Sequence, residues 1–194
     1  MSKTQSFKPG YMPLFFNIVG LTALAIVLKL KVFEIPYPPA PFLKYDLSGI
    51  PLAIIAFMSL KAYPASLFVY FLVHALMTAD PAGLPIGMAM KALAELSTSV
   101  PIAIALKKKE LGKTGVVLAT IGAVVSRVAL MTLMNLLVGP YWLVMARWTK
   151  TYEQAYQYTL LLIPHIVVFN ATLALIVAFF TVLTLKRLKS SGMI

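Results

Sequence analysis

Long apolar runs constrain this chain more than any other feature. A helix needs about 20 mostly apolar residues to cross the ~30 Å hydrocarbon core of a bilayer. Residues 14–30, 63–78, 84–106, 115–138 and 158–185 each approach or exceed that length. Residues 49–60 form a shorter run ending at Lys61, which reads as a short or tilted span or as a re-entrant piece. Hydrocarbon offers no hydrogen-bond partners, so a spanning segment must satisfy its own backbone, as a helix does. The expected fold class is all-α: a polytopic membrane protein, a six-transmembrane-helix bundle forming a single domain over residues 1–194. No stretch between the runs is long enough to bury a separate soluble core. Composition agrees, with 60% hydrophobic and only 12% charged residues, against roughly 45–50% and ~25% in ordinary globular chains.

The first run passes through Ala23-Leu24-Ala25, a small-residue pattern of the kind signal peptidases cut. The apolar residues continue through Ile26, Val27 and Leu28, which argues for a retained span. The chain has no cysteine, so disulfides and thiolate metal sites are excluded.

A net charge of +11 would suit a nucleic-acid partner, but its placement along the chain does not. Six spans put both ends on one side. That side carries Lys3, Lys8, Lys61, Lys107–Lys109, Lys113, Lys186, Arg187 and Lys189. The other side carries Lys29, Lys31, Lys44, Arg147 and Lys150, diluted by Glu34, Asp46, Asp80 and Glu153. The positive-inside rule then expects a multi-pass cell-membrane protein with both termini cytoplasmic. Basic residues near membrane ends also attract anionic lipid headgroups, and no nucleic acid is implied.

Three connections stand out. Residues 34–48 hold four prolines, which fix φ and forbid a continuous helix; an extended, stiff, partly polyproline-like loop is expected on the outer side. Residues 107–113 form a basic cytoplasmic turn. Residues 139–157 read as an outer loop whose Tyr141, Trp142, Trp148, Tyr152 and Tyr156 form an interfacial aromatic belt.

Ionisable side chains inside a span cost about 2.5–3.5 kcal/mol on insertion scales, so each needs a reason. Lys91 and Glu95 are four apart and share a helix face. They read equally as a self-neutralising structural pair or as ligands for a polar solute. Arg127 reads as a structural partner for Glu95 or for carbonyls, and Asn135, eight residues on, as the better ligand candidate. His165 and Asn170 lie in the first half of the sixth run, and His74 in the third. A histidine in a bundle is more often an interhelical hydrogen-bonder than a ligand.

Orientation brings these groups together. Lys91, Glu95, Asn135, His165 and Asn170 fall in the outer half or near mid-depth, and Asp46 and Ser48 enter the same layer from the proline-rich loop. That convergence predicts a pocket open to the exterior and covered by the loop. Phe33, Tyr37, Phe42 and Tyr45 offer aromatic faces to a planar ligand.

The order of a short first span, Ile-Pro-Tyr-Pro-Pro-Ala-Pro-Phe-Leu-Lys-Tyr-Asp-Leu-Ser-Gly-Ile-Pro (35–51), Ala-Glu-Leu (94–96), Met-Asn-Leu-Leu (134–137) and Phe-Asn-Ala-Thr-Leu (169–173) resembles a known family. These are the substrate-binding S components of energy-coupling factor (ECF) vitamin transporters, most closely the riboflavin-specific type. The resemblance covers about residues 14–188 and is sharpest at Phe-Leu-Lys-Tyr-Asp-Leu-Ser. It implies a six-helix S-component-like bundle that binds vitamin from outside. The expected partners are an ECF transmembrane coupling subunit and two cytoplasmic ATPase subunits. Riboflavin is implied as the transported ligand rather than a cofactor, and no catalytic role is implied. Mapped onto this chain, the family's site falls on Glu95, Asn135 and Asn170 and on loop contacts around Phe42, Leu43, Lys44, Asp46 and Ser48. Lys91 and His165 are further candidates.

Departures occur at positions that bear on which vitamin is bound. Ala-Glu-Leu-Ser-Thr-Ser (94–99) stands where riboflavin binders usually have Gly-Glu-Leu-Ala-Asn-Phe. Leu173 stands where they often have lysine, and Ser48-Gly49 where they usually have Ser-Asp. The family's Ala-x-x-x-Ala coupling motif does not occur on the first helix, where Gly20 and Ala23, three apart, form only a small-residue patch. The sequence contains no G-x-x-x-x-G-K-[ST] phosphate loop, so the resemblance assigns ATP hydrolysis to partners.

Two other classes remain open from the residues alone. One is an intramembrane enzyme using Glu95, His165 or His74 as acid–base groups. The other is a structural or assembly subunit without a ligand.

Overall fold

The computed structural model describes residues 11–77, 85–109 and 111–191, with the side chain of Tyr11 excepted. Lys3, Lys8 and Asp80, which enter the charge reading above, lie outside the described residues, as does the first residue of the run at 84–106.

Among the described residues six α-helices follow in order: α1 (Tyr11–Leu28), α2 (Gly49–Met58), α3 (Tyr63–Met77), α4 (Ile86–Lys109), α5 (Lys113–Met145) and α6 (Tyr152–Ser190). By length and composition α4, α5 and α6 can each cross a membrane, while α1, α2 and α3 are shorter apolar helices. The fold is an all-α membrane bundle.

The proline-rich segment departs from a polyproline-like loop. Two strands, β1 (Ile35–Tyr37) and β2 (Ala40–Tyr45), pair antiparallel in a hairpin turned at Pro38-Pro39. A two-stranded ribbon has a free edge on each strand, and prolines are tolerated where no ladder N–H is required. Residues Pro36 and Pro41 are therefore compatible with pairing.

Helix α2 is the centre of the bundle. Its 10 residues rise only about 15 Å, half the hydrocarbon thickness. Asp46 and Ser48, which lead into it, are already buried within the bundle. Ala53 and Ile54 pack into a cluster with α4, α5 and α6. Leu52, Ile55 and Ala56 pack into a second cluster with α1, α3 and α4. Lipid gives helices no hydrophobic reason to associate, so close packing of small residues takes over. Ala103, Ala119, Ala123, Ala174 and Ala178 are all fully buried.

One such approach solves a backbone problem. Pro101 sits inside α4 and lacks the N–H that would bond the carbonyl of Ser97. Ser126 on α5 donates its hydroxyl to that carbonyl. Gly122, one turn earlier on α5, makes the contact possible, since a Cβ there would lie 3.1 Å from Pro101 Cβ.

The expected outer loop at 139–157 is much shorter. Helix α5 runs through Pro140 to Met145, and α6 begins at Tyr152, where Thr151 caps it by accepting from the Gln154 N–H at 3.3 Å. Pro140 and Leu143 are buried, and this continued apolar face carries α5 past its proline. Tyr141 and Trp142 therefore lie on α5 and Tyr152 and Tyr156 on α6, leaving Trp148 in the connection.

Candidate functional site

A cavity of about 660 Å³ opens between the hairpin, the end of α1 and helices α4, α5 and α6. Helix α5 presents one face to it, through Arg127, Met131, Asn135, Gly139 and Trp142, at the spacing that keeps residues on one side of a helix. Helix α4 contributes Lys91 and Ala94, and α6 contributes Phe169, Asn170 and Leu173. The hairpin side supplies Phe42, Leu43, Lys44 and Asp46.

An ionic network runs beneath and beside this space. Lys91 Nζ lies 3.0 Å from Asp46 Oδ2 and 2.7 Å from Glu95 Oε1. Arg127 Nη1 lies 3.2 Å from the same Glu95 oxygen and donates to Thr98 Oγ1 at 2.9 Å. Arg127 Nε donates to Asn170 Oδ1 at 3.1 Å. Near the mouth, Lys29 pairs with Glu34 and lies 3.8 Å from Asp46, and Lys44 Nζ lies 2.7 Å from Glu34 Oε2. Four cations and three carboxylates thus compensate one another, and they tie the hairpin to α1, α4, α5 and α6.

Burial raises the Glu34 carboxyl, but Lys29 and Lys44 together outweigh it and hold the group below the ordinary glutamate range. Ser48 is fully buried and does not line the cavity; it hydrogen-bonds Asp46 and the Tyr70 hydroxyl, the latter at 2.9 Å. These contacts fix the entry into α2.

Glu95 is also fully buried and behind the cavity wall. Its Oε2 faces the start of α2, where a Cβ on Gly49 would come within 2.3 Å of it. The glycine at 49, one of the departures from the riboflavin pattern, leaves the room that Glu95 occupies.

Of the ten candidates, Phe42, Leu43, Lys44, Asp46, Lys91, Asn135 and Asn170 line the cavity together. Glu95 and Ser48 stand one layer behind. His165 is not among the lining residues; its ring lies beside Tyr37, centroids 6.3 Å apart. Tyr37 and Tyr45 pack on Phe169, at 5.8 and 4.8 Å, and Tyr45 hydrogen-bonds Thr172, so they seat the hairpin on α6. Phe33 is exposed. His74 lines the cavity edge and bonds the carbonyl of Ile26 at 3.1 Å, joining α3 to α1.

Sequence reasoning did not place Lys29, Lys31, Glu34 or Trp142 at the site. Lys29 and Glu34 look like ordinary charges at a span end, and Trp142 follows a proline that signals a helix stop. At the mouth, Trp148 packs edge-on against both Trp142 and Phe42, at 5.3 and 5.9 Å.

No protein-family model and no curated protein sequence matches the chain. Among solved structures, the S component of a bacterial ECF transporter is similar, with a TM-score of 0.73 and 21% identity. The match covers 92% of this chain and 96% of that one. At that identity the likeness establishes the fold, an S-component-like membrane bundle.

Proposed function

We propose that this chain is the substrate-binding membrane subunit of an ECF-type vitamin importer. In this reading it takes up riboflavin or a related flavin from outside. A transmembrane coupling subunit and two cytoplasmic ATPase subunits then deliver the vitamin to the cytoplasm. The observation that carries the reading is the 660 Å³ cavity at the hairpin end of an S-component-like bundle. Its volume falls within the roughly 300–1,000 Å³ of small-molecule sites. Phe42, Trp142 and Phe169 give it aromatic walls, which suits a planar heterocycle. The Asn135 amide donates to Met131 O on its own helix at 2.7 Å, which leaves its carbonyl oxygen available to a ligand N–H.

The same geometry disfavours an acid–base enzyme. Glu95 is engaged by Lys91 and Arg127, His165 lies away from the cavity, and His74 at the cavity edge is bonded to the carbonyl of Ile26. A different vitamin is the second reading, and Leu173 favours it: an apolar side chain lines the wall where riboflavin binders often have lysine.

Purification in mild detergent followed by absorbance and fluorescence titration tests the proposal. A stoichiometric complex with quenched flavin emission is the expected result. Failure to bind any vitamin, with the protein monodisperse and folded, overturns it.

A further inference from the structure

Arg127 is 1% exposed, yet it lines the cavity. A guanidinium carries five N–H donors in a fixed fork. Three point into protein. Nε donates to Asn170 Oδ1 at 3.1 Å, and Nη1 donates to Thr98 Oγ1 at 2.9 Å and to Glu95 Oε1 at 3.2 Å, with Ala94 O at 3.5 Å. Nη2 makes no hydrogen bond among the described residues. An arginine serving only to join helices would be expected to spend all its donors on them, because an unused charged donor in a bundle interior is unfavourable.

The surroundings explain the free edge. Glu95 is pinned against Gly49 at the start of α2 and fixes Nη1 from below. Asn170 fixes Nε from the side, and itself donates to Ile166 O at 2.9 Å. The fork is thereby held in place where Arg127 borders the cavity, with Nη2 left over. Lys91 lines the same wall. Eight residues along the same face of α5, about 12 Å by helical rise, the Asn135 carbonyl oxygen offers the complementary acceptor.

We infer that Arg127 contacts the substrate and determines specificity. Its Nη2 donates charge-assisted hydrogen bonds to an acceptor edge of the ligand, whether paired ring carbonyls or a carboxylate. Glu95 is then a positioning residue that aims the guanidinium and never touches the ligand. The site selects vitamins bearing such an edge and rejects cationic ones. This inference rests on the vitamin-binding reading.

The test uses the full chain in detergent and three probes: riboflavin, with ring carbonyls; biotin, with a carboxylate; and thiamine, a cation. The variants are Glu95→Gln, which keeps the donor, and the double variant Glu95→Gln with Arg127→Gln, which neutralises the buried pair and removes it. Wild type is expected to bind riboflavin or biotin and not thiamine. Glu95→Gln is expected to stay within about tenfold of wild type. The double variant, which no longer buries a guanidinium short of its carboxylate, is expected to melt at or above Glu95→Gln but bind about 10- to 100-fold more weakly than it. Equal affinity of the two variants, or preference of the wild type for thiamine, overturns the role of Arg127 while leaving vitamin binding intact. Absence of binding to both riboflavin and biotin overturns the inference, while the vitamin reading falls only if the wider titration above finds no vitamin bound. Should the double variant not fold, Arg127→Lys reads the same contact, since it keeps the charge but has a single nitrogen. About a tenfold loss supports the inference and unchanged affinity refutes it.

Discussion

Gly49→Ala is a one-carbon change whose consequence follows from two distances. The added Cβ would lie 2.3 Å from Glu95 Oε2 and 2.9 Å from Val177 Cγ2. Both neighbours are fully buried, so neither can swing into open space. Overpacking of this kind costs about 1–3 kcal/mol. The carboxylate must also retreat, which lengthens its contacts to Lys91 at 2.7 Å and Arg127 at 3.2 Å. A hydrogen bond to a charged group is worth about 1.5–3 kcal/mol, and part of one is lost. The sum is a destabilisation of about 2–5 kcal/mol. At roughly 2–4 °C per kcal/mol for a chain of this size, the melting temperature should fall by about 4–20 °C. Gly20→Ala is the matched control: nothing lies within 4 Å of its Cβ, and it sits inside α1, so alanine should stabilise by about 0.5–1 kcal/mol. Thermal unfolding in detergent, followed by emission of the two tryptophans, measures both. If Gly49→Ala melts with or above wild type, the carboxylate does not occupy the space assigned to it, and the account of the ionic network is wrong.

Other outcomes follow from the same geometry. Asn135→Ala should weaken flavin binding by about 1–3 kcal/mol while leaving the melting temperature nearly unchanged, because its side chain bonds only its own helix. Asn170→Ala should lower both affinity and stability, because Asn170 holds Arg127; calorimetric titration beside thermal unfolding separates the two cases. The Glu34 carboxyl is held below its ordinary value, so its contribution is fully present above about pH 4.3 and is lost as pH falls through the depressed value. Emission from Trp148, which touches the hairpin at Phe42, should therefore hold steady to about that pH and change only below it. In Glu34→Gln the acid step should disappear. Arg147 closes α5 with φ of 59°, the left-handed region, so Arg147→Gly should raise stability by about 1 kcal/mol in the same melting assay.

What the sequence made legible was local or periodic. The apolar runs overlap all six helices among the described residues, although only α4, α5 and α6 carry the full length that spanning a bilayer requires. The Lys91–Glu95 contact was legible because four residues make one helical turn. Arg127 was recognisable as a partner for Glu95 because a mid-span cation requires one. The fourth member of that network, Asp46, was not legible as a partner of Lys91, since their pairing depends on where the hairpin seats against α4. The helix end at Gly139-Pro140 was misjudged because the proline signal is local, whereas the buried faces of Pro140 and Leu143 that override it are tertiary. The hairpin was missed for a related reason: four prolines suppress a sheet only where the ladder needs their N–H groups, and a free-edged ribbon does not.

The charges at this end of the bundle serve two requirements at once. Lipid cannot hold helices and a β-ribbon together by excluding water, so polar contacts must register them. Asp46 meets Lys91 and Lys29, Glu34 meets Lys29 and Lys44, and Glu95 meets Lys91 and Arg127. Each carboxylate bridges two cations, so removing any one leaves two buried or half-buried charges short of a partner, a loss of about 3–5 kcal/mol when the pair is fully enclosed. Such sharing fixes the side chains without exhausting their donors. Arg127 and Lys91 are held by the protein and both border the cavity, and Arg127 keeps Nη2 without a partner among the described residues. A network that had satisfied every donor internally would have been at least as stable, and it would have left the cavity floor with nothing to offer a polar solute.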